Sequence, residues 1–287
     1  MTLFPGFETA TLDTGEASIR VRIGGSGPPL LLLHGHPQTH VMWHLIAPRL
    51  AEDFTVVAAD LRGYGDSSKP ASTRDHEPYS KRAFARDQVK AMEQLGFERF
   101  SVAGHDRGGR TGYRMALDTP DRVLKLAVLD IIPTVEVWDA MDARLAMANW
   151  HWLFLAQPEP LAETLIGRDV DAYYFRSGRE RFHPEALAEY VRALRDPATI
   201  HAICEDYRAA ATYDREADRG DREAGRRIAC PLLVLWSTRD DLPPLDPLGI
   251  WGRWADDVRG AGLDCGHYLA EELPDETYEH LRGFFSA

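Results

Sequence analysis

The chain has 287 residues, of which 44% are hydrophobic and 27% charged, with a formal net charge of -12. That length and apolar content suit one large α/β domain, or a domain carrying an insertion. The negative balance argues against binding nucleic acid or an anionic membrane through a global field, so an anionic substrate must be captured by local positive charge.

The N-terminal stretch MTLFPGFETATLDTGEASIRVRIGG lacks a basic segment followed by an apolar core, so no signal peptide is expected. No apolar run approaches the ~20 residues that span a bilayer, and the expectation is a soluble, cytoplasmic protein. ASIRVRIGG predicts an early strand, PLLLLHG a fully buried strand ending at Gly35, and FTVVAADLRGYGDSS another ending near Asp60. YSKRAFARDQVKAMEQLG predicts a helix closed by Gly96. RFSVAGHD, GGRTGYRMALDTP and VLKLAVLDIIP then predict a strand, a helix stopped before Pro120, and a further strand.

After Pro133 the pattern changes. From about Thr134 to Gly220 no buried strand is predicted, and aromatic residues and arginines recur at helical spacings. Alternation resumes at CPLLVLWSTRDD, and DDVRGAGLDCGHY and the helix AEELPDETYEHLRGFFSA close the chain. The economical reading is an α/β core (1–133 and 222–287) interrupted by a helical cap (134–221) over the strand C-terminal ends, where such sheets bind ligands. Cys204, Cys230 and Cys265 are scattered without a C-x-x-C pair, as expected of free thiols in a reducing compartment. No metal-ligand spacing appears, and neither a metal nor an organic cofactor is expected.

The chemistry concentrates at SVAGHDRGGRTGYR. Gly104-His105-Asp106-Arg107-Gly108 has the form of the G-x-S-x-G turn that exposes a nucleophile between a strand and a helix, with aspartate in place of serine. A carboxylate there is suited to displacement at saturated carbon, giving an alkyl ester. The plainer alternative is that Asp106 caps the helix. His34-Gly35-His36-Pro37 follows a buried strand, where the oxyanion loop of such enzymes lies. The backbone N–H groups of His36 and Arg107 are the expected oxyanion donors, and the His36 ring is read as packing rather than acid–base. His267, in LDCGHYL after the final strand, is the candidate base that activates water. Its orienting carboxylate is Asp130, at the end of LAVLD, with Asp240 and Asp241 one strand later as alternatives.

Together, HGHPQTHVMWH, ADLRGYGDSSKP, GHDRGGRTGYRMALDTPDRV, LAVLDIIPT, HWLFLAQPEPLAETLIG and CEDYRAAAT resemble the haloacetate dehalogenases of the α/β-hydrolase superfamily, from about Phe7 to the C-terminus. The resemblance implies an α/β-hydrolase fold, with Asp106 as nucleophile, His267 as base and Asp130 as its partner. It further implies that Arg107 and Arg110 clamp the substrate carboxylate, that His151, Trp152 and Tyr207 surround the departing halide, and that the enzyme is a homodimer acting on a small haloacid. Guanidinium forks three residues apart in a first helical turn agree with the clamp. Trp43 and Trp150 are expected in the core. Two departures stand out: His36 where phenylalanine is commoner, and a short arginine-rich cap segment, YYFRSGRERFHPE, whose Arg176, Arg179 and Arg181 either form a solvated face or reshape the pocket entrance. The rival within hydrolases is an epoxide hydrolase with the same aspartate nucleophile, which would leave both arginines without an anionic partner.

Overall fold

The order of strands along the central sheet accounts for where the site forms. In a computed structural model, residues 3–176, 178–239 and 245–287 are described. The strands are β1 (Glu8–Asp13), β2 (Ser18–Gly24), β3 (Pro29–Leu33), β4 (Thr55–Ala59), β5 (Phe100–His105), β6 (Val123–Leu129), β7 (Leu232–Ser237) and β8 (Val258–Leu263). They form one sheet in the order β1-β2-β4-β3-β5-β6-β7-β8. β1 and β2 pair antiparallel, as do β2 and β4, and the remaining pairs are parallel. β3, β4, β5 and β6 are apolar and almost wholly buried in their C-terminal halves, as expected for strands covered on both faces.

The chain runs from β3 outward to β4 and then crosses back, so β5 lies against the opposite edge of β3. Leu33 is in register with Gly104, His105 with Leu129, and Leu129 with Leu235. The loops after β3, β5, β6 and β7 therefore leave the sheet side by side, at the switch point that favours a ligand crevice.

Helices on the sheet include α1 (Ala47–Leu50), α2 (Lys81–Gln94) and α3 (Arg107–Asp118). Ser80 caps α2 by accepting from the Ala83 amide. Between β6 and β7 the chain is helical: α4 (Thr134–Asp139), α5 (Ala143–Ala148), α6 (Trp150–Leu155), α7 (Leu161–Arg168), α8 (Val170–Tyr174), α9 (Pro184–Leu194), α10 (Pro197–Ala209), a π-helical segment (Ala210–Asp214) and α11 (Arg215–Glu223). α12 (Pro247–Trp251) follows β7, and α13 (Leu269–Glu272) and α14 (Pro274–Ser286) end the chain. The single C-terminal helix expected from the sequence is thus two. Leu273 has ψ 60, and Pro274 lacks the N–H that would continue α13 and takes the first position of α14. β1 was not anticipated, because its mostly exposed, polar residues form an edge strand.

Trp43 is fully buried, but Trp150 is 50% exposed, which corrects its core assignment. Trp150 sits at the first position of α6 and stacks on Phe154 and Tyr173. Among the described residues no helix is long and apolar enough to cross a membrane.

Candidate active site

Asp106 links β5 to α3 with φ 44 and ψ -112, a conformation that costs energy for any residue with a β-carbon. The turn is tight enough to exclude side chains around it. A β-carbon on Gly108 would come within 2.5 Å of the His34 and Leu33 carbonyl oxygens, and one on Gly35 within 2.6 Å of the Asp106 Cβ. The Asp106 side chain does not cap α3. Its Oδ2 instead accepts from the His36 N–H at 3.0 Å, and its Oδ1 lies 4.0 Å from Arg110 Nε. Burial alone would raise the pKa of this carboxyl. The charges of His267, Arg107, His105 and Arg110 outweigh burial and hold it below the usual range. The positive end of α3 acts in the same direction.

His267 follows β8, and its Nδ1 lies 2.6 Å from Asp130 Oδ2. Asp130 itself has φ 56, and its Oδ1 accepts from the Ser237 N–H at 2.8 Å. Ser237 Oγ donates to the Cys265 carbonyl at 2.6 Å, tying the end of β7 to the loop that carries His267. His105 Nε2 donates to the His267 carbonyl at 2.8 Å, so the turn at Asp106 and the loop carrying His267 are joined through a buried imidazole. A carbonyl only accepts, which fixes the proton of His105 on Nε2. Asp240 and Asp241, the alternative partners, lie outside the described residues.

Above these groups is a cavity of about 390 Å³ lined from the sheet side by His36, Asp106, Arg110, Asp130 and His267. His151, Trp152 and Tyr207 line it from the helices. Tyr207 packs edge-on against both His151 and Trp152, at 5.9 and 6.0 Å between ring centroids. Burial lowers His151 to about 4, so at neutral pH its imidazole is an uncharged N–H donor. Burial likewise lowers His36 to about 3, and the ring packs edge-on against Tyr174 and Tyr207.

The two arginines occupy different settings. Arg110 lines the cavity, with Nη1 donating to the Ile132 carbonyl at 3.0 Å and Thr134 Oγ1 at 3.2 Å, and with its guanidinium 4.6 Å from the Trp152 ring. Arg107 is fully buried and lies under Tyr207, 4.0 Å from its ring centroid. Its Nε and Nη2 donate to Asp206 Oδ2 and Oδ1 at 2.9 and 2.7 Å, while Nη1 is buried with no hydrogen-bond partner among the described residues. Arg107 is therefore not the second free fork expected from its spacing alone.

Asp206 is the residue that sequence reasoning missed. It also accepts from Tyr64 at 2.8 Å and pairs with the buried Lys81. The available signal was a carboxylate immediately before Tyr207 in Cys204-Glu205-Asp206-Tyr207-Arg208 of α10, where a buried charge demands an opposite one.

Residues 28–274 match the family model of the alpha/beta hydrolase fold. The chain is 49% identical to a fluoroacetate dehalogenase from Burkholderia sp, over 99% of this chain and 95% of that protein. It is 34% identical to a soluble epoxide hydrolase from Corynebacterium sp. (strain C12), over 91% of each. A crystal structure of an alpha/beta hydrolase from Nostoc sp PCC 7120 superposes with a TM-score of 0.94 at 53% identity, covering 97% of this chain and 98% of that one. With a strained turn at the end of β5, a histidine after β8 and a helical segment over the crevice between them, the chain belongs to the α/β-hydrolase family, and within it to the family of that fluoroacetate dehalogenase.

Proposed function

We propose that this protein is a haloacetate dehalogenase that converts a short 2-haloacid, fluoroacetate among them, to the 2-hydroxyacid and halide. The observation that carries the reading is the ionised Asp106 carboxylate, turned toward the cavity with Oδ2 held by the His36 amide and Oδ1 4.0 Å from the Arg110 guanidinium. One oxygen is tethered and the other is left to attack, beside a cation suited to a carboxylate substrate.

In the first step Asp106 Oδ1 displaces halide from the α-carbon, forming an ester. Arg110, with the unpartnered Nη1 of Arg107, receives the substrate carboxylate and offsets its repulsion from Asp106. His151, Trp152 and Tyr207 donate to the departing halide. Hydrogen bonds to a charged partner contribute roughly 1.5–3 kcal/mol each, so three lower the barrier by several kcal/mol. The neutral His151 imidazole supplies such a donor without competing as a cation for the carboxylate.

In the second step His267 takes a proton from water, and the oxygen attacks Cγ of Asp106. Charge gathers on Oδ2, where the His36 amide already sits and the Arg107 amide completes the pair. The Cγ–Oδ1 bond breaks, the leaving oxygen takes a proton from His267 and departs as the 2-hydroxyacid, and the new Asp106 carboxyl ionises to the carboxylate. Asp130 orients His267 and stabilises its cationic form. In this reading residues 134–221 act as the cap that excludes bulk water, and no metal or organic cofactor takes part. Scattered free cysteines favour a cytoplasmic location and the motif resemblance favours a homodimer.

A second reading is epoxide opening by the same nucleophile, favoured by Tyr174 and Tyr207 both lining the cavity as possible proton donors. A neutral epoxide leaves the Arg110 charge without a partner. Halide release from fluoro-, chloro- and bromoacetate, run beside styrene oxide hydrolysis with Arg110→Leu as control, tests both. Haloacetate turnover lost in the variant supports dehalogenation, and turnover of styrene oxide alone overturns it.

A further inference from the structure

The cavity is larger than a haloacetate requires. Chloroacetate has five heavy atoms, which at the ~30 Å³ that a water takes in the liquid fill about 150 Å³, against a cavity of about 390 Å³. The same cavity is also lined by apolar side chains, including Val137, Leu145 and Trp150, and by a further cation, Arg181.

Arg181 belongs to the arginine-rich segment before α9, where its neighbour Arg179 is already neutralised. Arg179 pairs with Asp171 at 3.0 Å, and Arg195, at the end of α9, reaches the other oxygen of Asp171 at 2.9 Å. Arg181 has no carboxylate partner among the described residues. The next residue, Phe182, is buried and packs on Tyr268 at 4.8 Å between ring centroids, which anchors the segment beside the residue that follows His267. Arg110, by contrast, is fixed to Ile132 and Thr134 after β6. The cavity thus meets two cations that come from different walls, with the nucleophile and an apolar surface also facing it.

Resting on the dehalogenase reading above, we propose that the preferred substrates are 2-haloacids carrying a second carboxylate, with Arg110 receiving the acid group next to the reacting carbon and Arg181 the distal one. The chemistry is unchanged. Asp106 Oδ1 bonds to C2 as the carbon–halogen bond breaks and the halide leaves with the electron pair. Water then adds to Cγ of the ester as His267 accepts its proton, the Cγ–Oδ1 bond breaks, and the leaving oxygen takes a proton from His267 to give a 2-hydroxydicarboxylate. A methylene or two between C2 and the second acid lies against the apolar wall.

The test compares kcat/KM for halide release from 2-chlorosuccinate and 2-chloroglutarate with their uncharged-tail counterparts, 2-chlorobutanoate and 2-chloropentanoate, in the wild type and in Arg181→Gln. Thermal melting checks that the variant is folded. The expected result is at least a tenfold preference for one dicarboxylate over its counterpart in the wild type, falling to about onefold in Arg181→Gln. A wild-type ratio at or below one overturns the proposal, as does a ratio that survives in Arg181→Gln or an equal loss on both substrate types. Chloroacetate is run alongside in the wild type. If it releases no halide, the dehalogenase reading itself has failed, whereas chloroacetate turnover with no dicarboxylate preference removes only the role of Arg181.

Discussion

Asp130 and His267 are separated by 137 positions in sequence, yet Asp130 Oδ2 lies 2.6 Å from His267 Nδ1. The contact arises because β6 and β8 flank β7 and leave the sheet at the same end. Asp130 sits in the left-handed region, φ 56, which turns its carboxyl across the end of β7 toward the histidine. A residue held in a costly backbone conformation and bonded through both oxygens has its geometry set by its neighbours rather than by its own preference.

Removing the base separates the two chemical steps. His267→Asn retains a side chain of similar size but cannot take the proton from water, so halide release should stop after about one equivalent per active site, with ester left on Asp106. Intact-protein mass spectrometry after chloroacetate addition checks this. Full turnover by the variant would show that another group activates water. Asp130→Asn should lower kcat by about two to four orders of magnitude through loss of the orienting charge, with KM changed far less.

Asp206 touches no part of the reacting centre, but it holds Arg107 through two nitrogens and also faces Lys81. Asp206→Ala leaves two buried cations without their shared carboxylate, a change that typically costs about 3–5 kcal/mol of stability. Asp206→Asn keeps the shape and should preserve more of the fold while releasing the alignment of Arg107. For Asp206→Asn, KM for haloacetate should rise about tenfold, read from initial rates beside a denaturant titration. A KM equal to the wild type's in a folded Asp206→Asn protein would mean that Arg107 does not depend on this pair.

Stability should peak near pH 6.5. Burial lowers His36 to about 3 and His105 and His151 to about 4, so the unfolded chain binds more protons than the folded one below about 6.5. Stability therefore falls as pH drops from there toward 4. Glu271 has the opposite sign. Burial raises it to about 8, and it is held between Gln38 on the oxyanion loop and Tyr190 of α9. Its contribution is whole below about 4.5 and is lost as pH climbs through 8. Melting temperatures between pH 4 and 9 should show both slopes. Glu271→Gln should flatten the alkaline one, and an unchanged alkaline slope in that variant would assign it to another group.

Much of the architecture was legible because buried strands announce themselves as short apolar runs. PLLLL, TVVAA and VLKLAVL lie on β3, β4 and β6. The turn at Asp106 was readable from Gly104 and Gly108, whose side-chain-free positions are filled by neighbouring backbone. β1 was not, since a polar strand at the sheet edge is held by backbone pairing that leaves no hydrophobic pattern. Nor was the different environment of Arg107 and Arg110. Spacing puts both near Asp106, but only the arrival of α10 decides that Asp206 takes one of them. Trp150 misled for a related reason, because an aromatic at the start of a short helix packs on its neighbours while staying half exposed.

The proposed chemistry requires a covalent bond between substrate carbon and Asp106, opened afterwards by water at Cγ. The direct measurement is a single turnover in ¹⁸O-labelled water with enzyme in excess over chloroacetate, followed by peptide mass spectrometry of the segment containing Asp106. One heavy oxygen should appear in the Asp106 carboxylate and none in the first product released. Heavy oxygen in that product, with Asp106 unlabelled, would mean that water attacks the substrate directly.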